Sequence, residues 1–149
     1  MSEKKRIIII GRTFAGKTTL CQRMNHEDLK YHKTQTVQIF NDSMIDTPGE
    51  YLERRSLQGA LLVTAADADL ILLVQDATED GTMFPPAYVS QFAKPSVGVV
   101  TKCDLATREQ IAEARGHLTM AGAEKIFTVS SMTGQGLEDL MKYFDILWS

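Results

Sequence analysis

The segment that most constrains the fold of this chain is a glycine-bounded loop that directly follows a short apolar run near the N-terminus. Residues 7–10 are four consecutive isoleucines, and the nine residues after them read Gly-Arg-Thr-Phe-Ala-Gly-Lys-Thr-Thr. A buried strand that ends in such a loop and continues as a helix points several backbone N–H groups at one spot, where the helix dipole adds positive potential. The pattern therefore predicts a strand, a polyphosphate-binding loop and a helix in direct succession.

The residue types in this loop match that chemistry. Gly16 lets the backbone approach phosphate oxygens without a Cβ in the way. Lys17 is predicted to reach the β and γ phosphates, Thr18 to bind Mg²⁺ and Thr19 to face the α phosphate. Phe14 has two interpretations, shielding of the phosphates or packing on the first helix. The predicted nucleotide-binding residues of the loop are Gly11, Thr13, Phe14, Ala15, Gly16, Lys17, Thr18 and Thr19.

Composition limits the classes of protein that remain. The chain has 149 residues, of which 44% are hydrophobic and 23% charged, so we expect a single domain over residues 1–149 with a buried core. A net charge of -3 argues against general nucleic-acid binding, which needs clustered Lys and Arg. The sequence has neither a signal-peptide core nor a run of eighteen apolar residues. We therefore expect a cytoplasmic protein without nucleic-acid or membrane partners.

Short apolar runs alternate with segments of helical period along the whole chain, which is typical of β-α-β units. We predict an α/β fold with three α/β/α layers and a mainly parallel sheet of about six strands. The polar pair Asn41-Asp42 indicates a hairpin turn, so one edge strand is predicted to be antiparallel. The predicted strands are Arg6 to Ile10, Thr36 to Phe40, Met44 to Ile45, Asp69 to Gln75, Ser96 to Thr101 and Lys125 to Val129.

Several helices have recognisable ends. Thr107 and Gln110 are spaced as a capping box, and the apolar face that follows them ends at Gly122. The other predicted helices run from Leu52 to Ala66, from near Ala87 after two prolines, and along the apolar face from Leu137 to Leu147.

An acidic segment, Asp-Thr-Pro-Gly, follows the predicted hairpin at residues 46–49. In a phosphate-binding fold, Asp46 is placed to hold Mg²⁺ through its water shell, and the Gly49 N–H is placed to meet a γ oxygen. The alternative is an ordinary turn, which the position one hairpin after the phosphate loop disfavours. Thr34 is predicted as a further Mg²⁺ ligand beside Thr18; Thr36 is the alternative, although it would lie inside a strand.

Two later strand ends carry residues suited to a base. The strand at Ser96 to Thr101 leads into Thr-Lys-Cys-Asp, at the edge where doubly wound sheets bind ligands. Asp104 can accept hydrogen bonds from guanine N1–H and its exocyclic amine, a pair of donors that adenine does not offer. The predicted base-binding residues are Thr101, Lys102, Asp104, Ser130, Ser131 and Met132, the last three through backbone N–H groups near guanine O6.

Together these motifs resemble those of the Ras-like P-loop GTPases over nearly the whole chain. Within that superfamily, residues 31–35 and 45–53 are similar to the EutP/PduV proteins of bacterial ethanolamine and propanediol utilisation. The resemblance implies a P-loop NTPase fold, Mg²⁺ with GTP or GDP, and a bacterial cytosolic protein linked to a metabolic microcompartment. A shell or enzyme protein of that microcompartment is the implied partner.

Two positions depart from the Ras-like pattern. Glu50 stands where many Ras-like proteins carry a water-orienting Gln; because a carboxylate adds negative charge beside the γ phosphate, we predict slow GTP hydrolysis. Lys17 and Glu50 are the catalytic candidates, and the alternative is that Glu50 only leads into the next helix. Thr101 replaces the more usual Asn and is predicted to lose a bridge between base and phosphate loop, which leaves ATP open as a ligand.

Two other functions remain open. A P-loop kinase would pass the γ phosphoryl of ATP or GTP to a small carboxylate such as acetate, with Arg12, Arg54 and Arg55 as candidates to hold that carboxylate. The chain lacks an Arg-rich lid segment, which argues against this function. The second of these functions is that of a nonhydrolysing interaction module, in which the nucleotide is only a structural ligand.

Overall fold

A computed structural model describes residues 6–31 and 44–147, and the described strands form one parallel sheet. The strands are β1 (Ile7–Ile10), β2 (Met44–Asp46), β3 (Leu70–Asp76), β4 (Ser96–Thr101) and β5 (Lys125–Thr128). Their order across the sheet is β2-β1-β3-β4-β5. Because the chain passes from β1 to one neighbour and then to the other, the topological switch point lies at the carboxyl end of β1, where such sheets bind ligands.

The predicted α/β fold is confirmed, with differences at the edge of the sheet. The described part of the sheet has five strands where about six were predicted, and all of their pairings are parallel. The strand predicted at Thr36 to Phe40 lies outside the described residues, and so does the hairpin turn on which the predicted antiparallel pairing depends. The other strands lie within one residue of their predicted bounds, because continuous apolar runs mark strands that are covered on both faces.

Helices cover both faces of this sheet. The α-helices of the described ranges are α1 (Lys17–Tyr31), α2 (Glu50–Glu53), α3 (Gln58–Ala65), α4 (Arg108–Ala121) and α5 (Leu137–Leu147). Short 3-10 turns lie at Arg55–Leu57, Tyr88–Gln91 and Cys103–Leu105. In the part of the chain that the structure describes, no helix has both the length and the apolar character needed to cross a membrane.

The single helix predicted from Leu52 to Ala66 is wrong, because the chain breaks between α2 and α3. Arg54 has extended backbone, with φ -108° and ψ 122°. The Gln58 side-chain amide donates to the carbonyl oxygens of Tyr51 and Leu52, both at 3.2 Å. In a continuous helix these carbonyls would accept from backbone N–H groups four residues later. The Gln58 amide takes their place as donor, so α2 ends here.

The core consists of two apolar layers, one on each face of the sheet. Successive side chains of a strand point to opposite faces. Ile7 and Ile9 pack with α1 and α5, whereas Ile8 and Ile10 pack with α3 and α4. All four isoleucines are fully buried, so β1 is covered on both faces, as expected for a strand in the middle layer of the predicted three-layer arrangement.

The start of α4 has the predicted capping box. The Thr107 hydroxyl accepts from Gln110 N–H at 3.1 Å, and the Gln110 side chain accepts from Thr107 N–H at 2.8 Å. We expect Thr107→Ala to lower the free energy of unfolding by about 1 kcal/mol, because a helix N–H loses its partner. Urea denaturation measures this loss. Thr119→Ala is the control, since that exposed hydroxyl bonds only within the helix to Arg115; an equal loss in both variants would contradict the prediction.

Candidate functional site

The phosphate loop lies at the carboxyl end of β1, at the switch point of the sheet. Ala15 N–H donates to the Arg12 carbonyl at 3.1 Å, and Leu20 N–H donates to the Gly16 carbonyl at 2.9 Å, so α1 starts directly from the loop. Phe14 and Gly16 have left-handed backbone, with φ +69° and +95°. Alternation of left-handed and ordinary residues turns successive N–H groups toward one point, which is an anion-binding arrangement.

Lys17 and Thr18 face a cavity of about 390 Å³ beside this loop, which Thr13, Thr47 and Gly49 also line. Lys17 is only 7% exposed, and its Nζ donates to the Arg12 carbonyl at 3.4 Å. A buried ammonium group requires polar or anionic partners. A polyphosphate in this cavity would add anionic partners to those that Lys17 already has within the chain.

Two of the residues predicted to hold Mg²⁺, Thr18 and Asp46, lie within the described ranges and are of types that bind this ion. Thr18 is exposed in the cavity, and Asp46 ends β2 at the position that pairs with Ile9 of β1. Hydroxyl, carboxylate and phosphate oxygens are the donors that Mg²⁺ prefers. Thr34 and its alternative Thr36 lie outside the described residues.

The Asp-Thr-Pro-Gly segment is held against the phosphate loop. Thr47 is buried, and its hydroxyl donates to the Ile9 carbonyl at 2.7 Å. A Cβ on Gly49 would overlap the backbone N and Cα of Thr13, so this close approach requires glycine. Gly49 therefore lies at the wall of the cavity that Lys17 and Thr18 face.

One turn later, Glu53 of α2 also contacts the loop. Its Oε2 accepts a hydrogen bond from Thr13 N–H at 2.5 Å. The hydroxyl and the backbone N–H of Thr13 hold the pKa of the Glu53 carboxyl below its ordinary value, and the charges of Arg12 and Lys17 add to this effect. No sequence motif indicates this contact, because it depends on how α2 lies on the loop.

Phe14 and Glu50, two predicted site residues, point into solvent. Phe14 is 87% exposed, which excludes the interpretation that its ring packs on the first helix. Glu50 is exposed at the first residue of α2, adjacent to Gly49. Glu50 is not among the residues that line the cavity beside Gly49.

The predicted base-binding residues meet in a second pocket, of about 170 Å³, at the carboxyl end of β4. Asp104 is exposed at this pocket, so its carboxylate is open to a ligand. Ser130 does not line it: Ser130 is buried, and its hydroxyl accepts from Thr133 N–H at 3.1 Å, so it shapes the loop. The lining residues are Gly16, Thr19, Thr101, Lys102, Asp104, Leu105, Ser131 and Met132.

Lys102 and Thr101 join this second pocket to the phosphate loop. Lys102 Nζ donates to the Phe14 carbonyl at 2.8 Å and pairs with Asp76 Oδ2 at 2.9 Å, so its side chain lies across the loop. The buried Thr101 hydroxyl donates to the Ala15 carbonyl at 2.7 Å. The hydroxyl thus links β4 to the loop, and the predicted loss of a bridge between the base and the loop stays a prediction.

Asp76 is a site residue that the motif pattern did not predict. Burial raises the pKa of its carboxyl, but hydrogen bonds from Lys102 and Thr78 outweigh burial and hold that pKa below its ordinary value. Asp76 therefore remains ionised as the partner of Lys102. A sequence signal existed, since Asp76 follows the apolar run of residues 70–74 by two residues and ends β3 at the carboxyl edge of the sheet.

Comparison with known proteins identifies the family. The family model PduV-EutP, described as ethanolamine utilisation - propanediol utilisation, matches residues 4–146. The chain is 40% identical over 141 residues to the propanediol utilization protein PduV of Citrobacter freundii, covering 95% of this chain and 93% of that protein. It is 29% identical over 140 residues to the probable acetate kinase EutP of Escherichia coli strain K12, covering 93% and 88%.

Among solved structures, the fold is similar to that of translation elongation factor SelB from Methanococcus maripaludis. The TM-score is 0.68 at 23% identity for the apo form and 0.64 at 21% identity for the complex with the GTP analogue GppNHp. The similarity covers 97% and 98% of this chain but only 33% and 34% of SelB. At such identities the likeness shows the fold alone, whereas the family match extends over nearly the whole sequence. The resemblance seen in the motifs is thereby confirmed, and the chain belongs to the PduV-EutP family of ethanolamine and propanediol utilisation.

Proposed function

We propose that this chain is a Mg²⁺-dependent guanine-nucleotide-binding protein that hydrolyses GTP slowly and acts as a switch in ethanolamine or propanediol catabolism. The observation that carries the proposal is that the pocket of Asp104 and Lys102 also includes Gly16 and Thr19 of the phosphate loop and α1. A ligand with a base at one end and a polyphosphate at the other fits such a continuous surface. The GTP analogue in the SelB fold supports this choice of ligand.

Each group in the two cavities has an expected role. Lys17 would hold the β and γ phosphates, and Asp104 would accept the two guanine donors. Mg²⁺, held by Thr18 and Asp46, would neutralise charge on the phosphate oxygens. Lys102 is already oriented across the phosphate loop by Asp76, so its stem is in place beneath a base.

Isothermal titration calorimetry with GTP, GDP and ATP at saturating Mg²⁺ tests the proposal. We expect both guanine nucleotides to bind roughly 100-fold more tightly than ATP, the discrimination that a well-oriented pair of hydrogen bonds to one base provides. Equal affinity for ATP would contradict the assignment of guanine. Absence of binding by all three would contradict a nucleotide function altogether.

Hydrolysis is expected to be slow and to depend weakly on Glu50. We expect single-turnover rates on the order of 10⁻⁴ to 10⁻³ per second, as in unassisted small GTPases. Glu50→Gln should give an equal or several-fold higher rate, because an amide can donate to the γ phosphate and removes a negative charge. Phosphate release from preloaded GTP measures this rate.

The control for that experiment is Glu109→Gln, which makes the same charge change at an exposed position of α4. Its rate should equal that of the wild type. A fast wild-type reaction that Glu50→Gln slows would overturn the prediction and make Glu50 the group that activates water.

A second candidate function is transfer of the γ phosphoryl to a short-chain carboxylate, which the name of the Escherichia coli relative favours. This reaction needs a cationic group for the carboxylate beside the γ phosphate. Arg12 lines a cavity of about 350 Å³ beside the loop, but it is paired there with Glu79 at 3.2 Å. Arg55 lines a separate groove of about 380 Å³, and Arg54 is exposed. The geometry therefore favours the switch over the kinase.

Trapping with hydroxylamine distinguishes these two functions. A kinase incubated with GTP or ATP and acetate or propionate forms an acyl phosphate. Hydroxylamine displaces its phosphate to give a hydroxamate, which forms a coloured complex with Fe³⁺. A switch releases inorganic phosphate at a rate that the carboxylate does not change. Hydroxamate formation that depends on Lys17 would establish the kinase.

We also propose that the partner is a shell or enzyme protein of a catabolic microcompartment in the cytoplasm, a proposal supported by the family membership. A switch should bind this partner differently in its GTP and GDP forms. Partner binding that ignores the nucleotide, with the nucleotide intact over hours, would instead favour the nonhydrolysing module.

A further inference from the structure

The contact between Glu53 and the phosphate loop has no role in the nucleotide binding proposed above. Glu53 Oε2 accepts from the backbone N–H of Thr13, which is the third residue of the glycine-bounded loop. Backbone N–H groups of such a loop are the donors that cradle phosphate oxygens. A carboxylate of the chain itself therefore engages a donor of the phosphate-binding surface.

This donor lies at one particular end of the loop. Residues 16–18 form the end that continues into α1, where the α and β phosphates are expected. Thr13 lies at the opposite end, in contact with Gly49, and both residues line the cavity that Lys17 faces. The N–H that Glu53 engages is therefore on the side of the γ phosphate.

The Glu53 carboxylate and the γ phosphate are both anions, so they compete for the same groups of the loop. The Thr13 hydroxyl and N–H, followed by Arg12 and Lys17, stabilise the ionised form of Glu53 and lower its pKa. Thr13 and Lys17 also line the cavity in which a terminal phosphate would bind. An additional phosphate close to Glu53 would also repel the carboxylate directly.

The fold holds α2 close enough for this competition. The Leu52 and Glu53 N–H groups both donate to the Gly49 carbonyl, at 3.1 and 3.2 Å, so the turn is compact. Leu52 is buried in the apolar layer on its face of the sheet. Glu53 can leave Thr13 by rotation of its own exposed side chain or by movement of the whole turn, and either frees the donor.

We propose that Glu53 is a specificity-determining residue that competes with the γ phosphate for Thr13, so that the chain favours GDP over GTP until Glu53 is displaced. This inference rests on the proposed function, because it concerns the same site. It also assigns α2 a regulatory role, since any partner that draws Glu53 away from the loop would raise affinity for the triphosphate.

Calorimetry on Glu53→Gln, with GDP and the nonhydrolysable analogue GppNHp as ligands and Mg²⁺ present, tests the proposal. We expect affinity for GppNHp to rise about tenfold, the effect of removing one competing charge-assisted hydrogen bond, while affinity for GDP changes less than twofold. Glu109→Gln is the charge-matched control and should change neither affinity. Equal changes for both nucleotides, or weaker GppNHp binding, would overturn the proposal.

The backbone amide of Thr13 provides a second, independent measurement. Without nucleotide, the NMR signal of this amide should lie further downfield in the wild type than in Glu53→Ala. This difference between the two proteins should persist with GDP and disappear with GppNHp, because the γ phosphate then accepts from Thr13 N–H in both. An identical Thr13 signal in wild type and Glu53→Ala without nucleotide would overturn the proposal. If the wild type binds neither nucleotide, the proposed function fails, and this signal still shows separately whether the Glu53 contact exists.

Discussion

Replacement of Lys17 by alanine is expected to weaken binding of both GTP and GDP by roughly 1,000-fold, or about 4 kcal/mol. Lys17 is 7% exposed and lines the cavity of about 390 Å³ at the phosphate loop. A charge partner in such a sheltered position contributes far more than an exposed one, because water screens it poorly. In Lys17→Ala, the phosphates would lose the ammonium group and would depend on the backbone N–H groups of the loop and on Mg²⁺.

Calorimetry with GDP and GppNHp measures this loss, and Lys17→Met separates the lost charge from lost packing because it keeps most of the apolar stem. The matched control is Lys142→Ala, which removes an exposed lysine that pairs with Glu138 of the same helix, at 3.4 Å. Affinity in the control should equal that of the wild type. Near-normal nucleotide binding by Lys17→Ala would show that the phosphates bind elsewhere.

Substitution of Asp104 by asparagine is expected to change which base is bound. A carboxylate accepts hydrogen bonds from both guanine N1–H and the exocyclic amine, whereas a carboxamide presents one acceptor and one donor. Xanthine offers N1–H and a 2-oxo group, which complement the carboxamide. We expect affinity for GDP to fall roughly 100-fold and affinity for xanthosine diphosphate to rise by a similar factor.

Calorimetry with GDP, xanthosine diphosphate and ADP follows this exchange. Asp67→Asn is the control, since Asp67 is exposed and lies in the connection between α3 and β3, away from both cavities. The Lys102 side chain should stay in place, because Asp76 and the Phe14 carbonyl hold it independently of Asp104. Unchanged GDP affinity in Asp104→Asn would contradict the assignment of the base pocket.

Local patterns predicted much of the architecture. The bounds of β4 match the predicted Ser96 to Thr101, because a continuous apolar run indicates a strand that is covered on both faces. The capping box at Thr107 and Gln110 formed as predicted, because its bonds join residues only three apart. Such features depend on short-range geometry that a sequence shows directly.

Predictions failed where side chains act over a greater distance. The break between α2 and α3 depends on Gln58, which reaches back to two carbonyls of the preceding turn. The bond from the Thr101 hydroxyl to the Ala15 carbonyl, which joins β4 to the phosphate loop, was likewise not predicted. Residue type alone did not show that this short side chain lies close enough to bond.

The sequence by itself determined the strand, glycine-bounded loop and helix at the start of the chain and the α/β class, because periodicity and backbone bonding act over a few residues. The family followed from the resemblance of the motifs. The tertiary structure alone decided that Asp76 orients Lys102 and that Glu53 engages Thr13. The first pair depends on β3 and β4 being neighbours in the sheet, and the second on α2 packing against the loop after β1. Both contacts join residues far apart in the chain, and only strand order and close packing bring them within hydrogen-bonding distance.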